Sequence, residues 1–535
     1  IHLRSKMDYE AEPNGDITRV YVFSLIGFFI LLIACINYMN LSTARSALRA
    51  REIGIRKVIG ARKKGLIIQF LSESVLISWV ALVIAVLLTA FLLPWLNKLS
   101  GQSISFDILL KWQVLIPLLL MPFVIGFVSG IYPALFMSSF QPVKTLKGLF
   151  KMGGNGISFR KALVVIQFAI SIMLIITTAI VFQQLHYMQN KSLGFDKEQI
   201  LILPYGTDIN KRYDAFRTAI LQNAAFREVG RSSRIPTGRL LDASSASTLV
   251  GDSLRPVTTD IKMVNVDYDF IPTYGIRLLA GRNFSREFGT DTAGFVLNES
   301  AIKAVGWKSP RDAVGKEFKY GRTDGRVIGV INDFNFESMH QKIIPLVLIM
   351  TAPSMGYYGN ISIKLRGRNI YAALDYLEKT WKTLLPETAY QYSFLDDNFD
   401  KLYQSEQRQG TLFILFACIA IFIACLGLFG LSAFAISQRV KEIGVRKVLG
   451  ARVSRIVALL ATDFLRLVVI AAFLAFPIAW YAMHNWLKDF AYRVSIQWWI
   501  FVLAGVLAAL IAFLTVSFQA VKAANANPVK SLRTE

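Results

Sequence analysis

Glu52-Ile-Gly-Ile-Arg-Lys-Val-Ile-Gly-Ala-Arg62 returns 390 residues later as Glu442-Ile-Gly-Val-Arg-Lys-Val-Leu-Gly-Ala-Arg452, with nine of the eleven positions identical. Both copies lie between long apolar runs. The stretches 20–44, 74–97, 112–143, 162–190, 409–438, 467–487 and 494–521 contain no Asp, Glu, Lys or Arg. Each exceeds the roughly 20 residues a helix needs to cross a ~30 Å hydrocarbon layer. Composition agrees, since 54% of the 535 residues are hydrophobic. The fold class is therefore a polytopic α-helical membrane protein with seven predicted spans in the lipid bilayer, and the soluble globular class is excluded.

Of the formal net charge of +23, the short segments 42–65, 138–161, 437–455 and 519–535 carry +19. Alternating spans place all four on one side of the bilayer. An excess of Lys and Arg in short connectors marks that side as cytoplasmic. No nucleic-acid partner is indicated, because such a surface would be folded and continuous. Cys35, Cys418 and Cys425 all fall within predicted spans, so no disulfide framework is indicated. Cys35 and Cys425 are themselves 390 apart and read as packing residues.

Residues 1–19 are polar, enter the first span from outside, and read as the end of a preceding extracytoplasmic domain. Residues 20–141 make a three-helix unit, with Trp95 and Trp112 at the outer interface. Residues 142–160 form a cytoplasmic linker containing Pro142-Val-Lys144 and a hinge-like Gly153-Gly-Asn-Gly156. A helix at 161–185 leads outward. Residues 186–408 are charged, and Gly and Pro punctuate them. There Ile200-Leu-Ile-Leu203, Val327-Ile-Gly-Val-Ile331 and Ile361-Ser-Ile-Lys-Leu365 read as strands. Lys211–Phe226 and Tyr371–Leu385 read as amphipathic helices, giving an inserted α+β extracytoplasmic domain. Residues 409–535 repeat the three-helix unit, with Trp486, Trp498 and Trp499 outside and Pro528-Val-Lys530 at the end. Symmetry of the duplication further predicts an eight-span parent, with a leading helix and outer domain before residue 1.

The chain carries no Gly-x-x-x-x-Gly-Lys-Ser/Thr phosphate loop, and Gly153–Gly156 has no following Lys. His2, His186, His340 and His484 are scattered, which gives no support to a zinc site. Asp396-Asp397 reads as a solvated turn. No catalytic residue, metal or bound cofactor is predicted for this chain. The candidate functional residues are those of the duplicated loop. They are Arg49, Arg51, Glu52, Gly54, Arg56, Lys57, Gly60 and Arg62, then Arg439, Lys441, Glu442, Gly444, Arg446, Lys447, Gly450 and Arg452. On a helix Glu52 and Glu442 stand four residues before Arg56 and Arg446, the favourable order for pairing. The glycines permit close backbone approach or a helix stop. Topology needs only basic charge, so recurrence of Glu, two Gly and Ala in register points to protein docking. Glu73, Asp463 and Arg466 could couple this loop to the spanning helix, although snorkelling at the interface explains them as well.

These paired Glu-Ile-Gly-x-Arg-Lys-x-x-Gly-Ala-Arg loops, the two Pro-Val-Lys elements and the order span, outer domain, three spans resemble the FtsX-like permease superfamily. That superfamily includes the MacB-like exporters and the lipoprotein-releasing permeases. Tyr274-Gly-Ile-Arg-Leu-Leu-Ala-Gly-Arg-Asn-Phe284, Val296-Leu-Asn-Glu299 and Val327-Ile-Gly-Val-Ile-Asn-Asp-Phe334 look like the MacB periplasmic core type. The resemblance implies an ABC transporter permease in a bacterial inner membrane. Its two ATPase subunits, with their ATP and Mg, would sit on a separate polypeptide and dock on 49–62 and 439–452. Mechanotransmission would carry their motion to the periplasmic domain, in export of a peptide, antibiotic or lipid-like substrate. A periplasmic adaptor and an outer-membrane channel are optional further partners. Lipoprotein release or regulation of cell-wall hydrolases is the alternative within the family. A membrane receptor without transport is the alternative outside it.

Overall fold

The computed structural model describes residues 17–138, 154–250, 253–339, 341–350, 358–367 and 369–524. The chain packs as two units. One holds the residues up to 183 together with 408–485 and the residues from 495 onward; the other holds 184–407 and 486–494.

The first unit is helical. Its elements are α1 (Ile17–Val58), α2 (Lys63–Ser100), α3 (Trp112–Ser138), α4 (Gly154–Asn190), α5 (Gln404–Gln438), α6 (Val440–Val448), α7 (Val453–Leu487) and α8 (Trp498–Ala524). Seven of these are long and apolar enough to span a bilayer. Apolar residues surround them on all sides, as a helix facing both lipid and neighbours requires. Pro117, Pro122 and Pro133 lie inside α3, where neighbouring helices can satisfy the freed carbonyls. The stripe Gly126-Phe-Val-Ser-Gly130 brings α3 hard against α2. A Cβ on Gly126 would strike the Val75 backbone, and one on Gly130 would strike Ser74. Small residues four apart are the usual means of such close approach in lipid. The expected glycine hinge is partly corrected, because Gly154–Gly156 already begin α4; residues 139–153 lie outside the described residues. Residues 1–16 and 525–535, with Pro528–Lys530, also lie outside them.

The second unit is built on a mixed sheet. Its strands are β1 (Ile200–Pro204), β2 (Phe226–Ser232), β3 (Ala243–Ser244), β4 (Ala246–Val250), β5 (Ser253–Pro256), β6 (Ile261–Val266) and β7 (Leu278–Gly281). They continue as β8 (Gly294–Asn298), β9 (Glu317–Tyr320), β10 (Thr323–Ile331), β11 (Leu346–Met350), β12 (Asn360–Leu365) and β13 (Ser393–Phe394). The main path runs β13-β1-β12-β2-β6-β11-β8-β10-β9-β4-β5, with β3 on β6 and β7 on β10. Pairing is parallel at β6/β11 and β8/β10 and antiparallel at β1/β12 and β12/β2. Continuously buried aliphatic runs such as Ile200–Leu203 suit strands covered on both faces. The helices Tyr213–Leu221 and Ile370–Leu384 cover one end of the sheet and share a core with β1, β2 and β12. Trp381 is fully buried there, edge-on to Phe216 at 5.6 Å. The expected helix over Lys211–Phe226 is shorter than its pattern. It ends at Leu221 and Phe226 already belongs to β2, because the Asn223 side chain accepts from Ala225 N–H and turns the chain.

Residues 486–494 pack within this second unit. The Gln184 amide donates to Tyr492 O at 2.8 Å and accepts from Val494 N–H at 2.9 Å. The Lys191 ammonium lies 3.5 Å from the Tyr492 ring centre, and Phe490 joins Met188, Met339, Phe399 and Tyr403 in a small core.

Candidate functional site: twin basic elbows

The duplicated sequence folds twice into one local structure. In the first copy α1 runs on to Val58 and stops at Gly60, whose φ of 101° is left-handed. Gly60 N–H donates to Lys57 O at 3.1 Å and Ala61 N–H to Arg56 O at 3.0 Å. In the second, α6 stops at Gly450 (φ 86°), whose N–H donates to Lys447 O at 3.0 Å, while Ala451 N–H reaches Arg446 O at 2.9 Å. Crossed bonds of this kind close a Schellman cap, and only glycine takes the left-handed position cheaply. The repeated Gly-Ala pair thus has a structural reason: it ends the helix and turns the chain into α2 or α7. Gly54 serves differently, as a buried residue inside α1.

Each elbow stands on the same footing. Ile53 (2% exposed) packs with Leu66, Phe70, Ala134 and Met137; Ile443 (7%) packs with Ile456, Val457, Leu460 and Ala520. Ile53, Leu66 and Phe70 map onto Ile443, Ile456 and Leu460 at the offset of 390. Ala134 maps onto Ala520 at 386, the spacing of the two Pro-Val-Lys elements. The four-residue difference falls at the end of α7, which has 35 residues against 38 in α2, and in the connection that follows it, since the last helices start 386 apart at Trp112 and Trp498.

The charged faces also match. Glu52 pairs with Arg56 at 2.7 Å and Glu442 with Arg446 at 2.7 Å, all about half exposed. Exposed pairs four apart on a helix contribute only about 0.3–0.5 kcal/mol, so stability does not explain their duplication. Arg56 also donates to Gln69 Oε1 at 3.1 Å, and Lys57 reaches Ser138 O at 2.6 Å. Burial lowers the Lys57 pKa, helped by the nearby Lys63 charge. Arg62 is the extended N-cap of α2, and Arg452 opens α7 in the same place. Arg439 sits at the break between α5 and α6 and bridges to Asp463 at 3.2 Å, which ties the elbow to α7. Glu73 lies half-buried on α2 and Arg466 exposed on α7. Arg49, Arg51, Lys441 and Gly444 lie on α1 and α6, and their side chains are outside the described residues.

The basic pattern hid four further residues. Ile55 and Val445 are exposed, and Ile59 and Leu449, each 80% exposed, crown the two caps. Their signal was their equal spacing in both copies, apolar among arginines. An apolar knob ringed by cations is a surface suited to a protein partner rather than to a small ligand. Among the described residues no three His, Cys, Asp or Glu side chains cluster as a metal site.

The second unit holds a buried ionic cluster around Arg231. The Arg231 guanidinium lies 4.2 Å from the Tyr213 ring centre, 4.5 Å from Tyr358 and 5.7 Å from Tyr205, and donates to Tyr205 Oη at 2.7 Å. Asp267, 4% exposed, sits 4.0 Å from Arg231 Nε and accepts from Tyr213 Oη–H at 3.0 Å. Burial, reinforced by the Asp269 charge, pushes the Asp267 carboxyl up to about 7, and Arg231 offsets this only in part. Asp269 is itself held by Arg217 at 2.8 Å. These side chains point inward, so the cluster is architecture.

The FtsX-like permease C-terminal family matches residues 24–142 and again 414–528, and the MacB-like periplasmic core domain matches 162–379. A macrolide export ATP-binding/permease protein MacB of Campylobacter jejuni (strain 81-176) is 33% identical over 130 residues, covering 24% of this chain and 20% of the relative. The MacB of Escherichia coli is 24% identical over 308 residues, covering 55% and 47%. The chain thus spans a fifth to about half of the curated relatives it matches. Among solved structures, the periplasmic region of MacB from Actinobacillus actinomycetemcomitans matches with a TM-score of 0.29 and 16% identity, covering 40% of this chain and 97% of that one. The extracellular domain of the transporter YknZ from Gram-positive bacteria matches at 0.26 and 13%, covering 36% and 97%. The chain is a multi-pass inner-membrane protein with a periplasmic domain. It belongs to the MacB-like ABC transporter permease family, with two FtsX-like permease units and one MacB-like periplasmic core domain.

Proposed function

We propose that this chain is the membrane subunit of an ABC transporter whose ATPase subunits, on a separate polypeptide, grip the two elbows from the cytoplasm. One observation carries the reading: the elbows repeat their cap, footing, ion pair and exposed apolar knob, residue for residue, although exposed pairs and knobs add little stability. Two equal handles suit two equal partners. ATP and Mg would be held by those partners, and this chain would do no chemistry. Closure of the ATPases would push on Ile59 and Leu449. Arg439–Asp463 and Lys57–Ser138 would pass the movement into the spanning helices, with Glu73 and Arg466 beside them. Mechanotransmission to the periplasmic domain would follow, in export of a peptide, antibiotic or lipid-like molecule. The curated relatives are named macrolide exporters, which favours export over lipoprotein release or hydrolase regulation. A periplasmic adaptor and an outer-membrane channel are the partners such export could add.

The test is charge reversal at Arg446 and Lys447. The expected result is loss of co-purifying ATP hydrolysis with unchanged membrane insertion. Full retention of that ATPase would remove the assignment.

A further inference from the structure

The two halves meet along α1 and α5, and they meet at equivalent positions. Phe23 stacks on Phe413 with ring centres 5.5 Å apart, and these residues differ by 390. Asn37 meets Gly427, again 390 apart: its Nδ2 donates to Ile423 O, and a Cβ on Gly427 would coincide with Asn37 Oδ1. One turn on, Leu41 fills the space over Gly430, the equivalent of Asn40. When two positions on one helix each touch their own counterpart, the helices run parallel about a pseudo-two-fold axis between them. The two contacts are 14 residues apart, which is four turns at the 3.5-residue period of a left-handed pair.

The pair is unequal where it is tightest. Asn37 and Asn40 are buried, while their counterparts are Gly427 and Gly430. Two copies of α1 would set Asn against Asn where there is room for one side chain. Two copies of α5 would set Gly against Gly and leave a void. Only α1 with α5 fills the seam. Asn37 Oδ1 and both polar atoms of Asn40 have no hydrogen-bond partner, so the site costs stability. A buried Asn in a helix seam characteristically secures register and partner choice at such a cost.

We infer that this seam is a built-in heterodimer interface, keyed by Asn37 in the notch of Gly427, through which one chain supplies both members of the transmembrane pair. The partner of the α1 face is α5 of the same molecule, and no second copy of the chain is needed there. On the docking reading above, one chain then presents both elbows to a pair of ATPases.

The test uses the full chain in its membrane without any ATPase, so its outcome is independent of the docking reading. Cys35, Cys418 and Cys425 are replaced by Ala, and Phe23→Cys and Phe413→Cys are introduced with a protease site within 139–153. Oxidation by copper phenanthroline should join the two fragments of one chain, and Phe23→Cys alone should give no covalent dimer. Covalent dimers from the single cysteine, or failure of the pair to join, would overturn the inference. Gly427→Asn should lower the joining yield by about tenfold, the ratio that about 1.4 kcal/mol produces. The reciprocal exchange Asn37→Gly with Gly427→Asn should restore it, since each position faces the other. If Gly427→Asn prevents accumulation of the chain, recovered accumulation of the exchange variant is the equivalent readout. An exchange no better than Gly427→Asn alone would refute the key.

Discussion

Replacing Asp267 by Asn should abolish most of the pH dependence of the periplasmic unit's stability. Asp267 is buried between β6 and the Tyr213 helix, and burial pushes its folded carboxyl up to about 7, well above the usual carboxylate range. Burial is the larger cause and the Asp269 charge the next; Arg231 and the Tyr213 hydroxyl pull the other way. The groups facing it are therefore Arg231, Tyr213 and Asp269, with Tyr205, Tyr358 and Arg217 behind them. A folded pKa above the unfolded one means the folded state holds the proton more tightly. The stabilisation is thus complete below about pH 4 and is lost as pH climbs through about 7. At about 1.4 kcal/mol per decade, the loss is on the order of 4 kcal/mol. Full-length protein in lipid nanodiscs, followed by pulse proteolysis of the 184–407 segment between about pH 4.5 and 8, gives the comparison with Asp267→Asn. The difference between the two proteins isolates this group from others, such as Glu228, whose pKa burial also raises. Equal pH slopes would refute the reasoning, because Asp267 would then be ionised throughout and stabilised by Arg231.

Asp291 should behave with the opposite sign. Burial alone would raise its pKa, but bonds from Arg282 at 2.8 and 2.6 Å and from Ser285 N–H at 2.8 Å outweigh burial and lower it. Its contribution is therefore present above the usual carboxylate range and lost as pH falls, and Asp291→Asn should cost about 1.5–3 kcal/mol in urea titration near neutrality. Gly450→Ala meets no atom within 4 Å, so only backbone strain of about 1–2 kcal/mol opposes it; hydrogen exchange should rise at 446–451 and stay unchanged in the periplasmic unit. Trp381→Ala should destabilise the periplasmic unit by about 3–5 kcal/mol, since the ring is fully buried and its indole donates to Thr388 O at 3.0 Å. A proteolysis midpoint unmoved by that change would show that this core is not limiting.

The seven spans were legible because lipid imposes one simple rule, long runs without charge, and the chain obeys it seven times. The runs 200–203, 327–331 and 361–365 were legible as strands for a related reason: strand segments buried on both faces read as near-continuous Ile, Leu and Val, whereas the exposed start of β10 at 323–326 carries no such signal. The Lys211–Phe226 pattern misled because the stop comes from the Asn223 side chain accepting from Ala225 N–H two residues on, which apolar periodicity does not reveal. At the elbows the repeated Glu, Arg and Gly were visible, the helix stop at Gly60 and Gly450 among them, but not that Ile59 and Leu449 carry the exposed apolar surface. Exposure cannot be read from composition when a whole segment reads as basic. Nor could the sequence assign 486–494 to the periplasmic unit, since that depends on Gln184 bonding two backbone groups about 310 residues away.

The central claim is that the two exposed knobs are equivalent handles for a separate motor. The most direct measurement is ATP hydrolysis co-purifying with tagged full-length chain carrying Ile59→Asp, Leu449→Asp, or both. The account predicts that each single change weakens association and that the pair abolishes it while insertion is preserved. Undiminished hydrolysis with the double variant would contradict it.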